Sequence, residues 1–150
     1  MATFPATIVT PERQVASEDV TAVIVRTVEG DATFLPGHTR LIGALVPYQV
    51  RFQHDDGTEL HIAVHGGFVQ VDPEHVTVLA PIAELAGEID RERAELALGA
   101  AEARLAELGA AGGAGRSGSG EEDAAVSLEV TDATEAAERA RLRLEVAGAA

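Results

Sequence analysis

Apolar and polar residues alternate in short runs through the first half of the chain, and turn residues bound each run. Alternation with a period of two places one face of a strand in a core and the other in solvent. The runs that show it span residues 4–9, 20–28, 48–54, 58–64, 68–71 and 75–79. The pattern predicts eight to ten short strands. Because no helical period separates them, they are expected to pair antiparallel in a sandwich or a barrel.

Beyond Pro81 the chain changes character. All six prolines lie at or before that residue, as do most valines, and Ala, Leu, Glu and Arg dominate afterwards. β-Branched residues favour strands, whereas Ala, Leu, Glu and Arg lose least in a helix. We therefore place a domain border near Gly87, with an all-β half over 1–86 and a helical half over 87–150. A first helix is predicted over 88–108, with an apolar stripe formed by Ile89, Leu96 and Ala103 beside Leu98 and Leu105.

The helical half contains a glycine-rich interruption. Residues 109–120 hold six Gly, two Ser and three Ala around Arg116, a composition that loses much entropy on ordering and predicts a linker. Asp132, three residues before Glu135, resembles a capping pair for a second helix that runs to about Val146. Its predicted apolar stripe consists of Ala133, Ala137, Ala140 and Leu144. The intervening residues 124–130 are interpreted as a loop.

Charge and composition exclude several functions. The formal net charge is −14, and the eleven basic residues are all Arg. A surface of that sign repels polyanions, so neither a nucleic acid nor an anionic membrane is an expected partner. Cys is absent, which excludes disulfides, thiolate metal sites and a cysteine nucleophile. No stretch of about 20 residues is free of charged and turn residues, and no basic segment precedes an apolar run at the N-terminus, so neither a membrane span nor a signal peptide is predicted.

The titratable residues indicate no catalytic or metal site. His61 and His65 lie on one face of a predicted strand but some 13 Å apart, at about 3.3 Å per residue, too far to share an ion. His38 follows a turn, where a histidine is more often a structural hydrogen-bonding residue than a base. Arg139 and Arg143 are different, since a spacing of four lays two guanidinium groups along one helix face, where an anion would relieve their repulsion. Pairing with nearby glutamates is the more common outcome.

Five motifs together carry a resemblance to a known family. In chain order they are Val9-Thr10-Pro11-Glu12-Arg13, Leu35-Pro36-Gly37-His38-Thr39, Gly66-Gly67-Phe68-Val69, Val76-Thr77-Val78-Leu79-Ala80 and Ile89-Asp90-Arg91-Glu92-Arg93-Ala94. Their order and spacing resemble the epsilon subunits of bacterial F-type ATP synthases, the counterparts of mitochondrial delta subunits. The likeness covers nearly all of residues 3–108 and, more loosely, 132–146. It implies an α+β fold, in which an N-terminal antiparallel β-sandwich is followed by a C-terminal two-helix hairpin.

The family resemblance implies a non-catalytic rotor subunit of the central stalk. Its expected partners are the gamma subunit, the c-ring of the membrane sector and, through the C-terminal helices, the alpha/beta catalytic head, where the helices inhibit ATP hydrolysis. The implied location is the cytoplasmic face of the cell membrane, as a peripheral part of the synthase. Glu29, Gly30 and Asp31 match the family's contact with the c-ring, and the segment around His38 is expected close by. The usual Gly before the Leu35–His38 segment is Thr33 here, which would reshape a loop that needs positive φ.

The resemblance also implies a regulatory nucleotide rather than a resident cofactor or metal. In some members the folded hairpin binds ATP through a motif that stands here as Ile89, Asp90, Arg93 and Ala94. Family positions further match Glu84, Arg139 and Arg143, while an additional Arg of some ATP-binding members is replaced by Ala100. Triphosphate requires Arg donors, and a carboxylate can accept from the adenine amino group or the ribose. The alternative to a rotor subunit is a free-standing ATP-sensing module of the same fold.

Overall fold

A computed structural model describes residues 2–112 and 120–149 of the chain. Within these ranges the chain forms eight strands, one 3-10 turn and two α-helices. In order they are β1 (Phe4–Val9), β2 (Gln14–Val20), β3 (Ala22–Thr27), β4 (Gly30–Phe34), β5 (Leu41–Gln53), β6 (Glu59–Asp72), β7 (His75–Leu79), β8 (Ala83–Leu85), the 3-10 turn (Ala86–Glu88), α1 (Arg91–Gly112) and α2 (Gly120–Ala149). The predicted β-sandwich followed by two helices is confirmed.

The strands hydrogen-bond in the order β2-β1-β7-β6-β5-β3-β4, and β8 pairs with β6. Two long strands, β5 and β6, contribute to both layers of the sandwich. Residues 68–72 of β6 pair with β7, whereas residues 62–64 pair with β8. The change of neighbour occurs at Gly66 and Gly67, which have φ values of +83° and +110°. These two glycines therefore allow one continuous strand to serve two layers.

The described strand pairs are antiparallel with one exception, because β1 and β7 run parallel with Ala6 opposite Val76. The strand pattern predicted antiparallel pairing throughout. The prediction is wrong for this pair. A hairpin forces its two strands to run antiparallel, but β1 and β7 are too far apart in the sequence to form one, so the strands between them set their relative direction. The parallel pair also places the end of β1 beside the end of β7, where the amide of Ala80 donates to the carbonyl of Val9 at 3.0 Å.

Valine fills most of the sandwich core. The largest fully buried side chains include Phe34, Phe52, Ile8 and Ile62, and the remainder of that set are eight valines. Predicted runs 4–9 and 75–79 coincide with β1 and β7. Run 48–54 overlaps the second half of β5, and runs 58–64 and 68–71 overlap β6, so the pattern missed the start of β5 and divided β6 in two. The pattern missed β2 and β4, because these strands are short and have too few apolar residues to show the alternation.

Two compact units divide the chain, and each is described by itself. One comprises the residues up to Ile89 together with those from Glu145 onward, and the other is Asp90–Leu144. Helix α1 begins at Arg91 and extends to Gly112, and α2 begins at Gly120. The predicted linker over 109–120 therefore contributes residues to both helices, while residues 113–119 of it lie outside the described part.

Three predictions about the helices are wrong in detail. Residues 124–130 form part of α2 rather than a loop, and α2 begins twelve residues before Asp132. Local propensity explains this, because Ala, Glu and Leu in this stretch are good helix formers once the neighbouring turns exist. The stripe of α1 is also displaced, since Leu96 is 69% exposed whereas Ala94, Ala101 and Leu108 are buried. In α2 the predicted Ala133, Ala137 and Ala140 are buried, and Leu144 is half-buried.

Candidate functional site

The hairpin that joins β3 to β4 has a tightly bonded turn. The hydroxyl of Thr27 donates to the carbonyl of Gly30 at 3.0 Å, and the amide of Glu29 donates to that hydroxyl at 3.1 Å. Gly30 has φ = +129°, a conformation that residues with a Cβ rarely adopt. The turn therefore has one well-defined shape, and it projects Val28 and Glu29 into solvent.

Arg26 holds the base of this hairpin. Its Nε and Nη2 donate to Oδ1 and Oδ2 of Asp31 at 2.6 and 3.2 Å, a two-point contact across the strand pair. The guanidinium carbon also lies 3.6 Å from the ring centroid of Tyr48 on β5, a cation–π contact. The hydrogen bond from Arg26 lowers the pKa of Asp31 below its ordinary value of 3.8. Asp31 is therefore an ionised carboxylate already engaged within the hairpin.

The segment after β4 is built around His38 and Gly37. Gly37, with φ = +83°, donates its amide to the carbonyl of Pro73 at 2.9 Å. The imidazole of His38 packs edge-on against Phe34 with ring centroids 5.1 Å apart, and its Nδ1 lies 2.8 Å from the carbonyl oxygen of Thr39. His38 thus has structural contacts. Thr33 lies within β4, and no described residue other than glycine has positive φ, so the chain does not use that conformation at this position.

The hairpin tip and the His38 segment lie at opposite ends of β4. Glu29 directly precedes this strand, and His38 follows it by four residues. Among residues 28–31 and 35–40, all of which the structure describes, no hydrogen bond or ion pair joins the two segments. Their predicted proximity stays a prediction.

An apolar row crosses the outer face of one layer. Ala44 on β5 lies opposite Phe68 on β6, Phe68 opposite Leu79 on β7, and Leu79 opposite Val9 on β1. Phe68 is 56% exposed, whereas its neighbours in β6, such as Val69, point into the core. Contiguous apolar surface of this kind commonly marks a protein contact.

The apolar row extends to the hairpin tip and to the start of β5. The amide of Val28 donates to the carbonyl of Ala44 at 3.1 Å, and Val28 is 68% exposed. Ile42, two residues before Ala44 and therefore on the same face of β5, is 73% exposed. The backbone bond therefore joins the hairpin tip to the strand that carries Ala44.

The predicted nucleotide residues are all placed, and several have local partners. Asp90 caps α1, since its Oδ1 accepts from the amide of Arg93 at 3.0 Å. Ala94 is buried, and its amide donates to the carbonyl of Asp90 at 3.0 Å. Ile89 closes the 3-10 turn by donating its amide to the carbonyl of Ala86 at 3.3 Å. The Asp90 side chain therefore has a structural role at the start of the helix.

Two of the remaining three nucleotide candidates, Glu84 and Arg139, have contacts within their own unit. Glu84 on β8 lies with its Oε2 3.3 Å from Nε2 of the buried His65. Arg139 pairs with Glu135 one turn earlier at 3.6 Å, the pairing that is common for such residues. Arg143 is half-buried on the same helix. Glu84 and Ile89 belong to one compact unit and the other five to the second. The ATP site stays a prediction.

Comparison with known proteins identifies the family. Residues 3–86 match the family model described as "ATP synthase, Delta/Epsilon chain, beta-sandwich domain". The chain is 47% identical over 105 residues to the ATP synthase epsilon chain of Bacillus subtilis, covering 70% of this chain and 79% of that one. It is 44% identical over 96 residues to the epsilon chain of Streptomyces avermitilis, covering 64% and 77% of the two chains. The chain belongs to the ATP synthase delta/epsilon family.

A solved structure agrees with this family. A chain in the cryo-EM structure of the Euglena gracilis mitochondrial ATP synthase, described as "OSCP/F1/c-ring in rotational state 1", superimposes with a TM-score of 0.62. The match has 25% sequence identity and covers 91% of this chain and 82% of that one. Members of the family are accessory subunits without catalytic activity, so the prediction of a non-catalytic synthase subunit is confirmed.

Two contacts of this delta/epsilon chain were not expected from the sequence, namely the Arg26–Tyr48 contact and an ion pair between Arg13 and Glu88. Nη2 of Arg13, in the first of the five motifs, donates to Oε2 of Glu88 at 2.6 Å, and this bond lowers the pKa of Glu88. The Arg26–Asp31 pair could have been predicted from the sequence, because a turn over Val28 and Glu29 makes residues 26 and 31 cross-strand neighbours. The Arg13–Glu88 pair could not have been predicted in this way, because its members lie 75 positions apart in the sequence.

Neither metal binding nor a membrane span is seen in the described part of this delta/epsilon chain. Over residues 2–112 and 120–149 no three His, Cys, Asp or Glu side chains converge in the manner of a metal site. In those same ranges, neither helix combines the length and apolar character that crossing a bilayer requires.

Proposed function

We propose that the chain is the central-stalk subunit of an F-type ATP synthase that links c-ring rotation to the gamma subunit and, through gamma, to the alpha/beta catalytic head during proton-driven ATP synthesis. The observation that carries the proposal is the apolar row Val9, Ala44, Phe68 and Leu79 on the outer face of a valine-packed sandwich. A torque-transmitting part requires a stiff body with a defined docking face. Interiors packed at crystal-like density resist deformation, which suits this work.

Gamma is the proposed occupant of the apolar row. A permanent rotor contact must survive continuous rotation, and obligate interfaces are more apolar than transient ones. Fully burying a side chain of the size of Phe68 or Leu79 is worth about 1.5–3 kcal/mol. Because the highly exposed Ile42 lies on the same face of β5, the docking of one apolar partner surface would bury three large side chains that are otherwise in water.

Binding to gamma tests this proposal. Phe68→Asp places a charge in the centre of the row and should weaken binding to recombinant gamma at least tenfold, since an unpaired charge is costly to bury. Thr33→Asp, an exposed substitution on β4 in the other layer, is the matched control and should leave binding unchanged. Equal affinities for the two variants would contradict docking through the row. A parent chain that binds ATP but not gamma would instead favour the free-standing ATP-sensing module.

The hairpin tip is the proposed contact with the c-ring. Glu29 supplies an exposed carboxylate at a turn of fixed shape, and acidic side chains complement basic residues on a partner loop. This contact would hold the chain at the cytoplasmic face of the cell membrane as a peripheral part of the synthase. His38, by contrast, packs against Phe34, so its contribution to the contact would be the shape of its segment rather than a free imidazole.

The helical unit is the proposed regulatory part, which inhibits ATP hydrolysis when its helices leave each other. Five of its buried positions carry alanine, namely Ala94, Ala101, Ala133, Ala137 and Ala140. Each buried methyl contributes only about 0.8 kcal/mol, so the hairpin buries little apolar area for its length. A ligand at a thousand times its dissociation constant adds about 4 kcal/mol to the state that binds it. ATP binding to the closed hairpin would therefore decide the balance.

Two measurements test the regulatory proposal. Isothermal titration of the full chain with ATP should give heat that Arg93→Ala abolishes, whereas Arg91→Ala, one of the neighbouring arginines of α1, should retain it. No heat for the parent chain at millimolar ATP would reject nucleotide sensing and leave the rotor role intact. Truncation after Leu108 should raise ATP hydrolysis by the reassembled enzyme, and unchanged hydrolysis would reject inhibition by α2.

A further inference from the structure

We infer that Arg26 is a positioning residue that withdraws Asp31 from the partner contact, so that Glu29, with Val28 beside it, is the carboxylate that the β3–β4 hairpin presents. The inference rests on the proposed docking of this hairpin to a partner with basic side chains. It assigns different roles to two carboxylates that lie two positions apart. Asp31 shapes the hairpin, and Glu29 makes the contact.

The charge of Asp31 is balanced within the hairpin. Both of its carboxylate oxygens accept from Arg26, one from Nε and the other from Nη2. Two-point arginine–carboxylate bonds are the stronger and more directional kind of ion pair. The Asp31 side chain is 65% exposed, but Arg26 already balances its charge, so a basic side chain on the partner gains less there than at an unpaired carboxylate.

Arg26 is itself held on a second side. Its guanidinium stacks over the ring of Tyr48, with 3.6 Å between the guanidinium carbon and the ring centroid. Arg26 therefore bridges β4, through Asp31, and β5, through Tyr48, while it belongs to β3. Lysine cannot reproduce this arrangement, because it lacks the planar fork that serves the carboxylate and the ring together. The contact fixes the strands on both sides of β3 just below the turn.

Glu29 is placed differently. Its backbone amide is bonded to the hydroxyl of Thr27, whereas its side chain, among the described residues, takes part in no ion pair or side-chain hydrogen bond and is exposed. The Arg26–Asp31 pair is neutral as a unit, so the hairpin presents the single negative charge of Glu29. Val28 adds an exposed apolar side chain next to it. The matching partner surface is a basic side chain flanked by apolar groups.

The test measures binding of the full chain to an immobilised complex of gamma and the c-ring, as a function of NaCl concentration. Glu29→Gln should raise Kd at least fivefold at low salt and flatten the salt dependence, because the charge that the partner reads is gone. Asp19→Asn, the same charge change on the edge strand β2, is the control and should alter neither quantity. Unfolding midpoints of all variants should show that each is folded.

Substitution of Arg26 separates positioning from simple electrostatics. Arg26→Gln makes the chain more negative and frees Asp31, so if Asp31 were the contact residue binding would tighten. At a salt concentration that screens the added charge we expect binding to weaken two- to fivefold, and Arg26→Gln combined with Asp31→Asn should weaken it no further than either alone. Arg26→Lys should restore the loss only in part. Tighter binding of Arg26→Gln, or a salt dependence that flattens with Asp31→Asn instead of Glu29→Gln, would overturn the inference.

A measurement on the free chain examines the positioning role without a partner. Amide hydrogen exchange at Glu29 and Gly30 should accelerate at least threefold in Arg26→Gln and stay unchanged in Glu29→Gln. Unchanged exchange in both variants would overturn the positioning role. A parent chain that does not bind the rotor complex would refute the proposed docking, and with it the role of Glu29, whereas a binding parent with the wrong pattern of variants refutes the inference alone.

Discussion

Gly67 lies where β6 passes from one layer of the sandwich to the other, and an alanine there should be unusually destabilising. A Cβ at this position would stand 2.1 Å from the carbonyl oxygen of Leu79 and 2.9 Å from Cα of Ala80. Ordinary carbon–oxygen contacts begin near about 3.3 Å, so the backbone of β7 would have to move by roughly 1 Å. The residue also has φ = +110°, which alanine rarely adopts.

The magnitude follows from two contributions. An unfavourable φ costs about 1–3 kcal/mol. Movement of Leu79 and Ala80 loosens backbone hydrogen bonds, including the one from Ala80 to Val9, each worth about 0.5–1.5 kcal/mol. Gly67→Ala should therefore lower the free energy of unfolding by about 2–5 kcal/mol, a large share of the 5–15 kcal/mol of an ordinary domain.

Gly57→Ala supplies the matched control. Gly57 has a similar positive φ of +82°, but a Cβ there meets nothing within 4 Å. Both variants place alanine at a positive φ and reduce the entropy of the unfolded chain, so their difference reports mainly on the close approach to β7. Urea unfolding can be followed by the fluorescence of Tyr48, the one tyrosine in a chain without tryptophan, which reports on the sandwich. If the two midpoints coincide, the close approach does not exist in solution and the reasoning is refuted.

Three further predictions concern the helices and the ion pairs. Ala137→Leu, at a fully buried position, should overpack the helical unit and cost about 1–3 kcal/mol, seen as earlier thermal loss of ellipticity at 222 nm, while Ala103→Leu at an exposed position should not. The carboxyl group of Asp31 should titrate below 3.8 because Arg26 bonds its ionised form; the pairing therefore stabilises the fold above pH 3.8 and is lost as the pH falls through the lower folded value. A carbon-13 titration checks this, and Arg26→Gln should return the pKa to its ordinary value. Arg104→Ala removes a half-exposed pairing with Glu129 and should cost under about 1 kcal/mol, an effect that 1 M NaCl should erase.

The candidate site was predictable where it depends on neighbours along the chain. A turn at Val28 and Glu29 follows from local sequence, and so does the cross-strand pairing of Arg26 with Asp31. Tyr48 over Arg26 was not predictable, because β5 reaches β3 only after a connection whose path the pattern leaves open. The role of Asp90 was not predictable either. The resemblance assigns this residue to a nucleotide, while its spacing to Arg93 also fits a helix cap. The sequence supports both uses of this residue.

Periodicity and composition by themselves determined that a valine-rich set of strands precedes two alanine-rich helices. Each strand or helix must bury one face, and the spacing of the apolar residues indicates which of the two elements brings them onto one face. Tertiary structure alone decided that β1 pairs parallel to β7, that β6 spans both layers through Gly66 and Gly67, and that Phe68 and Leu79 face outward in one row. These features depend on contacts between residues far apart in the chain. A local pattern shows which residues are apolar, but only the packing of whole strands shows which apolar residues are left for a partner.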